Sequence, residues 1–189
     1  MLKNSKKLNL ISKVGGEVIR VLKIIVGTVL LSLMVNQPVY AYEDIQLSDE
    51  VVEYCEYYGA MYGISPELLE SIIWNESRGD TKAQNGTCVG ICQINTVAHK
   101  DRIKRITSIN GTDSDSIYDV KLQIHLCADY INELSYVGYA EEQNDIALVL
   151  AWYHGEKKAK EKYESGHLSD YVESILTISR ELEEEHGKI

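Results

Sequence analysis

The chain has 189 residues, room for one domain of ordinary size and a short extra segment. With 19 basic against 29 acidic residues its net charge is −10, which repels nucleic-acid phosphates and anionic lipid and disfavours a nucleic-acid partner. Four cysteines and five scattered histidines show no paired metal-ligand spacing, so no metal or cofactor is expected.

The extra segment stands at the N-terminus. Residues 1–23 carry Lys3, Lys6, Lys7, Lys13, Arg20 and Lys23 against one acid, Glu17, and an apolar run follows from Ile24 to Val35. Val39-Tyr40-Ala41 then offers small residues at the positions a signal peptidase reads. This pattern predicts a signal peptide over residues 1–41, leaving residues 42–189 as the exported, extracellular or wall-associated domain. The twelve residues Ile24–Val35 are too few to cross a hydrocarbon core, which needs about 20, so no stable membrane span is expected after cleavage. Outside the membrane a disulfide is permitted, and four cysteines allow three complete pairings, with buried free thiols as the alternative.

After residue 41 the chain reads as helices joined by polar loops, without strand alternation. Ser48 can cap a first helix with Val51, Val52, Cys55 and Tyr58 on one face, stopped by Gly63. Ser65-Pro66-Glu67 begins a second, with a capping hydroxyl, a first-turn proline and an acid at the positive dipole end. It runs to about Glu76. Residues 79–95, with Gly79, Gly86 and Gly90, read as a loop, and Asn95 to about Ile106 as a weaker helix. A polar turn over 108–116 precedes the clearest stripe, Val120, Ile124, Cys127, Ile131 and Leu134. Ile146, Val149, Leu150 and Tyr153 mark a helix ending at Gly155, and Ser169 caps a last one carrying Val172, Ile175, Leu176 and Leu182. The acidic run Glu181–Glu185 reads as a solvated end. The expectation is one all-α domain over about 45–186.

On the second helix Leu69, Ile72 and Ile73 form an apolar stripe, and Glu76 falls where that stripe calls for another apolar residue. Burial among apolar groups raises a carboxyl's pKa, which suits a general acid near neutral pH. A lone glutamate at a helix end more often frays into solvent or pairs with a neighbour such as Arg78, so its surroundings must decide.

Those surroundings carry a resemblance. The run from Tyr62 to Ser77, closing on Trp74-Asn75-Glu76-Ser77, resembles the first motif of the soluble lytic transglycosylases. Gly90-Ile91-Cys92-Gln93-Ile94 is similar to their second, Trp152-Tyr153-His154-Gly155 to their third, and Ser169-Asp170-Tyr171-Val172 to their fourth. The resemblance implies a lysozyme-like α domain with a glycan groove, acting on peptidoglycan strands. It implies Glu76 as the catalytic acid and base, forming 1,6-anhydro ends at the MurNAc–GlcNAc bond. It also implies substrate contacts at Ser77, Gly90, Ile91, Gln93, Tyr153, His154 and Tyr171. Ser77 would hold substrate or orient Glu76, and Tyr153 would bring its hydroxyl near Glu76 or the developing charge.

The chain departs from the pattern at Cys92 for methionine, at His154 for asparagine and at Glu156 for glycine. Gln123 and Cys127 also stand where the family often has asparagine and glycine. Cys55 and Cys88 are the first candidate disulfide pair, which would tie the groove loop to the core. A hydrolase using the same acid is the nearest alternative. A wall-binding module that has lost turnover, attached to a conjugation or secretion apparatus, is the other.

Overall fold

The computed structural model describes residues 45–113, 116–136 and 145–189; the expected signal peptide lies outside the described residues. The described part is a helical unit of seven helices and a small three-stranded sheet. Its helix α1 (Asp49–Tyr62) starts where Ser48 accepts a hydrogen bond from the Val51 amide, and stops at Gly63, whose φ of 68° needs no Cβ. Helix α2 (Pro66–Ser77) begins at its proline as expected, but Ser65 does not cap it. The Ser65 hydroxyl instead donates to Glu67 at 2.7 Å and to Glu183 of the last helix at 3.1 Å.

The stretch expected as a loop contains strands β1 (Gln84–Asn85), β2 (Cys88–Val89) and β3 (Ile94–Asn95), paired antiparallel in the order β1-β2-β3. Two-residue strands are too short to show alternation, so periodicity could not reveal them. Helix α3 (Lys100–Asn110) begins and ends about four residues later than expected. The Asn95 side chain accepts from the amides of Val97 and Ala98 and makes a turn there instead. Asp119 caps α4 (Val120–Ser135), and Asp145 caps α5 (Ile146–Tyr153). A short helix α6 (Ala159–Glu164), which no apolar stripe announces, precedes α7 (Asp170–Glu185), capped by Ser169 as expected.

Helix α2 is the central element. It packs against α1 and α7 and touches α4, and every residue from Glu67 to Ile73 is buried. Leu69, Ile72 and Ile73 meet Ile91, Leu122, Leu126, Leu148 and Leu150 in one apolar core. Covering α2 on nearly every side carries two acids inside. Burial alone would push Glu67 up, but donors from Lys188 (2.5 Å), His186 (2.8 Å) and Ser65 prevail and hold it at about 2. Glu70 lacks those donors, and burial raises it to about 7. The C-terminal end is therefore not simply solvated: it folds back onto Glu67.

The four cysteines are free, which corrects the Cys55–Cys88 pairing. Cys55 lies in the core on α1, whereas Cys88 is half-buried on β2 at the edge of the cleft described next. Cys55, Cys92 and Cys127 instead neighbour one another in the core, filling volume as small apolar groups.

Candidate active site

Glu76 lies in the last turn of α2, which ends at Arg78 in a left-handed conformation with φ 55°. The carboxyl opens into a cleft of about 370 Å³ lined also by Cys88, Gln93, Asn95, Tyr153 and His154. Among the described residues lining it, Glu76 is the one carboxylate. A wider depression of about 820 Å³ runs beside α3 and Ile117, and none of the motif residues lines it.

Burial pushes the Glu76 carboxyl above its ordinary value. Two neighbours oppose that push: the Tyr171 hydroxyl, which donates to Oε1 at 2.6 Å, and the charge His154 carries when protonated. The rings of His154 and Tyr171 stack at 3.9 Å with 22° between their planes, so α5's end and α7 present one aromatic wall to α2. Burial and the adjacent carboxylate raise Tyr171 far above the usual phenol range, which keeps it a neutral donor. Ser174, one turn further along α7, donates to Asn75 at 3.2 Å and fixes the same helix pair.

The opposite wall is the turn 90–93. Gly90 adopts φ 74°, and a Cβ there would stand 2.4 Å from Gln123 Cδ. Beneath that close approach Gln123 accepts from the Cys92 amide at 3.2 Å and donates to the Ile117 carbonyl at 2.6 Å. Ser77 Oγ donates to the Ile91 carbonyl at 2.8 Å and Tyr153 to the Cys92 carbonyl at 2.9 Å. Three side chains, from α4 and from the ends of α2 and α5, thus hold consecutive peptide groups of one turn. Gln93, with φ 48°, folds its amide back to donate to the Gly90 carbonyl at 2.9 Å while lining the cleft.

The expected site residues therefore divide. Glu76, Gln93, Tyr153 and His154 line the cleft, and Tyr171 holds Glu76 from behind. Ser77, Gly90 and Ile91 build the turn, and the Ile91 side chain is fully buried in the core. The Tyr153 hydroxyl donates to the Cys92 carbonyl while Tyr153 lines the cleft with Glu76. Glu156 joins Lys162 of α6, at 3.0 Å, to the Ser169 hydroxyl at the start of α7. It is a structural acid, and the departure at that position leaves the cleft untouched. Sequence reading missed Asn85, Asn95, His99 and Tyr130 as lining residues. They come from strand ends, from the start of α3 and from α4, and no spacing signals that they converge.

A family model, the transglycosylase SLT domain, matches residues 53–171, well over half of the chain and every element of the site. The chain belongs to the transglycosylase SLT family. A search of curated proteins gives no match. Family membership gives the general activity, transglycosylase-type cleavage of peptidoglycan, and agrees with the helical, lysozyme-like architecture. No helix among the described residues is long and apolar enough to cross a membrane.

Proposed function

We propose that this SLT-family chain is an exported lytic transglycosylase in which Glu76 is both general acid and general base. The observation that carries this reading is the placement of Glu76: a carboxyl raised by burial, opening on a cleft, with one oxygen fixed by Tyr171. Because Tyr171 donates to Oε1, the exchangeable proton belongs on Oε2. That proton passes to the glycosidic oxygen as the C1–O bond of the muramic acid breaks. The resulting carboxylate then accepts the proton of the C6 hydroxyl while C6–O bonds to C1. An anhydro end forms and Glu76 is protonated again, ready for another cycle. Intramolecular attack requires no second carboxylate to activate water, which agrees with a described cleft lining that holds one acid. The basic-then-apolar pattern of residues 1–41 supports export to the wall.

Mass spectrometry of muropeptides released from peptidoglycan, with Glu76→Gln as control, tests the reading. Anhydro-ended products that fall at least about a hundredfold in the control are expected. Reducing-end products would make the chain a hydrolase. Binding without release would make it a wall-binding module.

A further inference from the structure

Helices α2 and α7 lie side by side and antiparallel, and polar bonds join them at both ends. At one end Tyr171 donates to Glu76 and Ser174 to Asn75. At the other the Ser65 hydroxyl donates to Glu183, and Glu67 accepts from His186 and Lys188. Nine residues of α2 separate Glu67 from Glu76, about 13 Å along the helix axis. Over that interval α7 turns Val172 and Ile175 into the apolar core.

The far end of α7 is built to need an anchor. Its last turn carries Glu183, Glu184 and Glu185 and no basic residue, where mutual repulsion and the helix dipole both disfavour carboxylates. The chain then reverses at Gly187, with φ 67°. The Gly187 amide donates to the Glu184 carbonyl and the Lys188 amide to the Glu183 carbonyl, a helix-ending turn that directs Lys188 back towards α2. Its ammonium reaches Glu67 at 2.5 Å, beside His186 at 2.8 Å. Glu67 is 1% exposed, and a carboxylate buried so deeply must keep its donors. This clasp lies outside the matched family domain, which ends at Tyr171.

The titratable groups facing Glu76 are Tyr171 on α7, Tyr153 and His154 at the end of α5, and Cys88 and Cys92 beside the cleft. None of these belongs to the clasp, so its route to Glu76 is the seating of α7. Apolar packing is non-directional and tolerates a small slide along the helix axis; a hydrogen bond of 2.6 Å does not.

We propose that Glu67, His186 and Lys188 are positioning residues for the cleavage reaction: by fixing the lengthwise register of α7 on α2, they keep the Tyr171 hydroxyl on Glu76 Oε1. The inference rests on the reading of Glu76 as the general acid.

The test is the pH dependence of kcat and kcat/KM in full-chain variants. Glu67→Leu combined with Lys188→Met replaces the ion pair with apolar groups of similar volume and removes one charge of each sign, which keeps the fold and the net charge. A fall in kcat of about fivefold at unchanged KM is expected. The basic limb should move up by about half a pH unit, the direction expected of Tyr171→Phe. Lys188→Arg, which keeps a donor for Glu67, should match the parent. In a Tyr171→Phe background the paired substitutions should shift the limb no further. A limb that stays in place while urea melts show lost stability makes the clasp a structural brace and overturns the proposal. So does a shift of the same size in the Tyr171→Phe background. If the paired variant does not fold, Lys188→Met alone, with His186 and Ser65 still on Glu67, carries the same measurement. Cleavage that survives Glu76→Gln overturns the Glu76 reading itself, and the clasp's role with it.

Discussion

Tyr171, on the last helix, donates its hydroxyl proton to Glu76 Oε1 at 2.6 Å across 95 residues of sequence. The bond favours the ionised carboxyl, while burial favours the neutral one and wins.

Removing the donor has a direction that can be measured. In Tyr171→Phe the ionised form loses its hydrogen bond, so the Glu76 pKa rises further. A general acid must be protonated, so the basic limb of the kcat/KM profile should move to higher pH in the variant. His154→Asn, which removes the other group that lowers Glu76, should move the limb the same way. Profiles that superimpose on the parent would separate Glu76 from the titration that governs the rate.

The turn facing Glu76 depends on the absence of a side chain at Gly90. Gly90→Ala places a Cβ 2.4 Å from Gln123 Cδ, at a φ of 74° that L residues avoid. Gln123 must move, and with it the hydrogen bonds to Cys92 and Ile117. Chemical denaturation should show a loss of about 1–3 kcal/mol. Cleavage should fall more steeply than the folded fraction. A variant as stable and active as the parent would mean the turn is not held through this contact.

Two buried acids on α2 give stability opposite pH dependences. The folded pKa of Glu70, about 7, lies above its ordinary 4.5. Its contribution is whole below about 4.5 and is lost as pH rises through 7. Glu67, held at about 2, contributes above 4.5 and loses that contribution as pH falls towards 2. The charged groups facing Glu70 are Glu67 on α2, Glu56 on α1, and His186 and Lys188 at the C-terminal end. Glu70→Gln should therefore be more stable than the parent at pH 8, by on the order of 3 kcal/mol, and close to it at pH 4. Urea melts at the two pH values check this, and equal slopes of stability against pH would refute it.

The cysteines offer a direct check on the cleft. Cys55, Cys92 and Cys127 are buried, and Cys88 lines the cleft beside Glu76. Maleimide should label Cys88 alone in the folded protein and four thiols after unfolding, with no reductant needed. Burial and the Glu76 charge raise the Cys88 thiol, so labelling should be slow near pH 7 and faster at higher pH. Cleavage should fall in step with labelling. Two thiols missing from the unfolded count would restore a disulfide.

How much of this was legible beforehand depended on how local each feature is. Ser48, Gly63 and Ser169 lie where α1 and α7 begin or end, although Ser65, read in the same way, does not cap α2. A cap acts over three or four residues, and a buried stripe repeats along one helix, so both can be read from the chain alone. Glu76 was legible for the same reason, as an acid interrupting the stripe of Leu69, Ile72 and Ile73. What it should do came from the ordered motifs around it.

Tertiary structure decided what those motif residues touch. Sequence could place Ser77, Ile91 and Tyr153 near a site, but not tell that Ser77 and Tyr153 hold carbonyls of one turn and that Ile91 belongs to the core. It gave no sign that Gln123 fills the space under Gly90, or that Tyr130 and His99 line the cleft. The physical reason is range. Helix propensity, capping and amphipathic periodicity are set within a turn or two of chain. The burial that raises Glu76 and the donor that tempers it arise only when α2, α5 and α7 pack together. The sequence by itself determined the longer helices and marked the acid among them; packing determined its chemical environment and the shape of the cleft it lines.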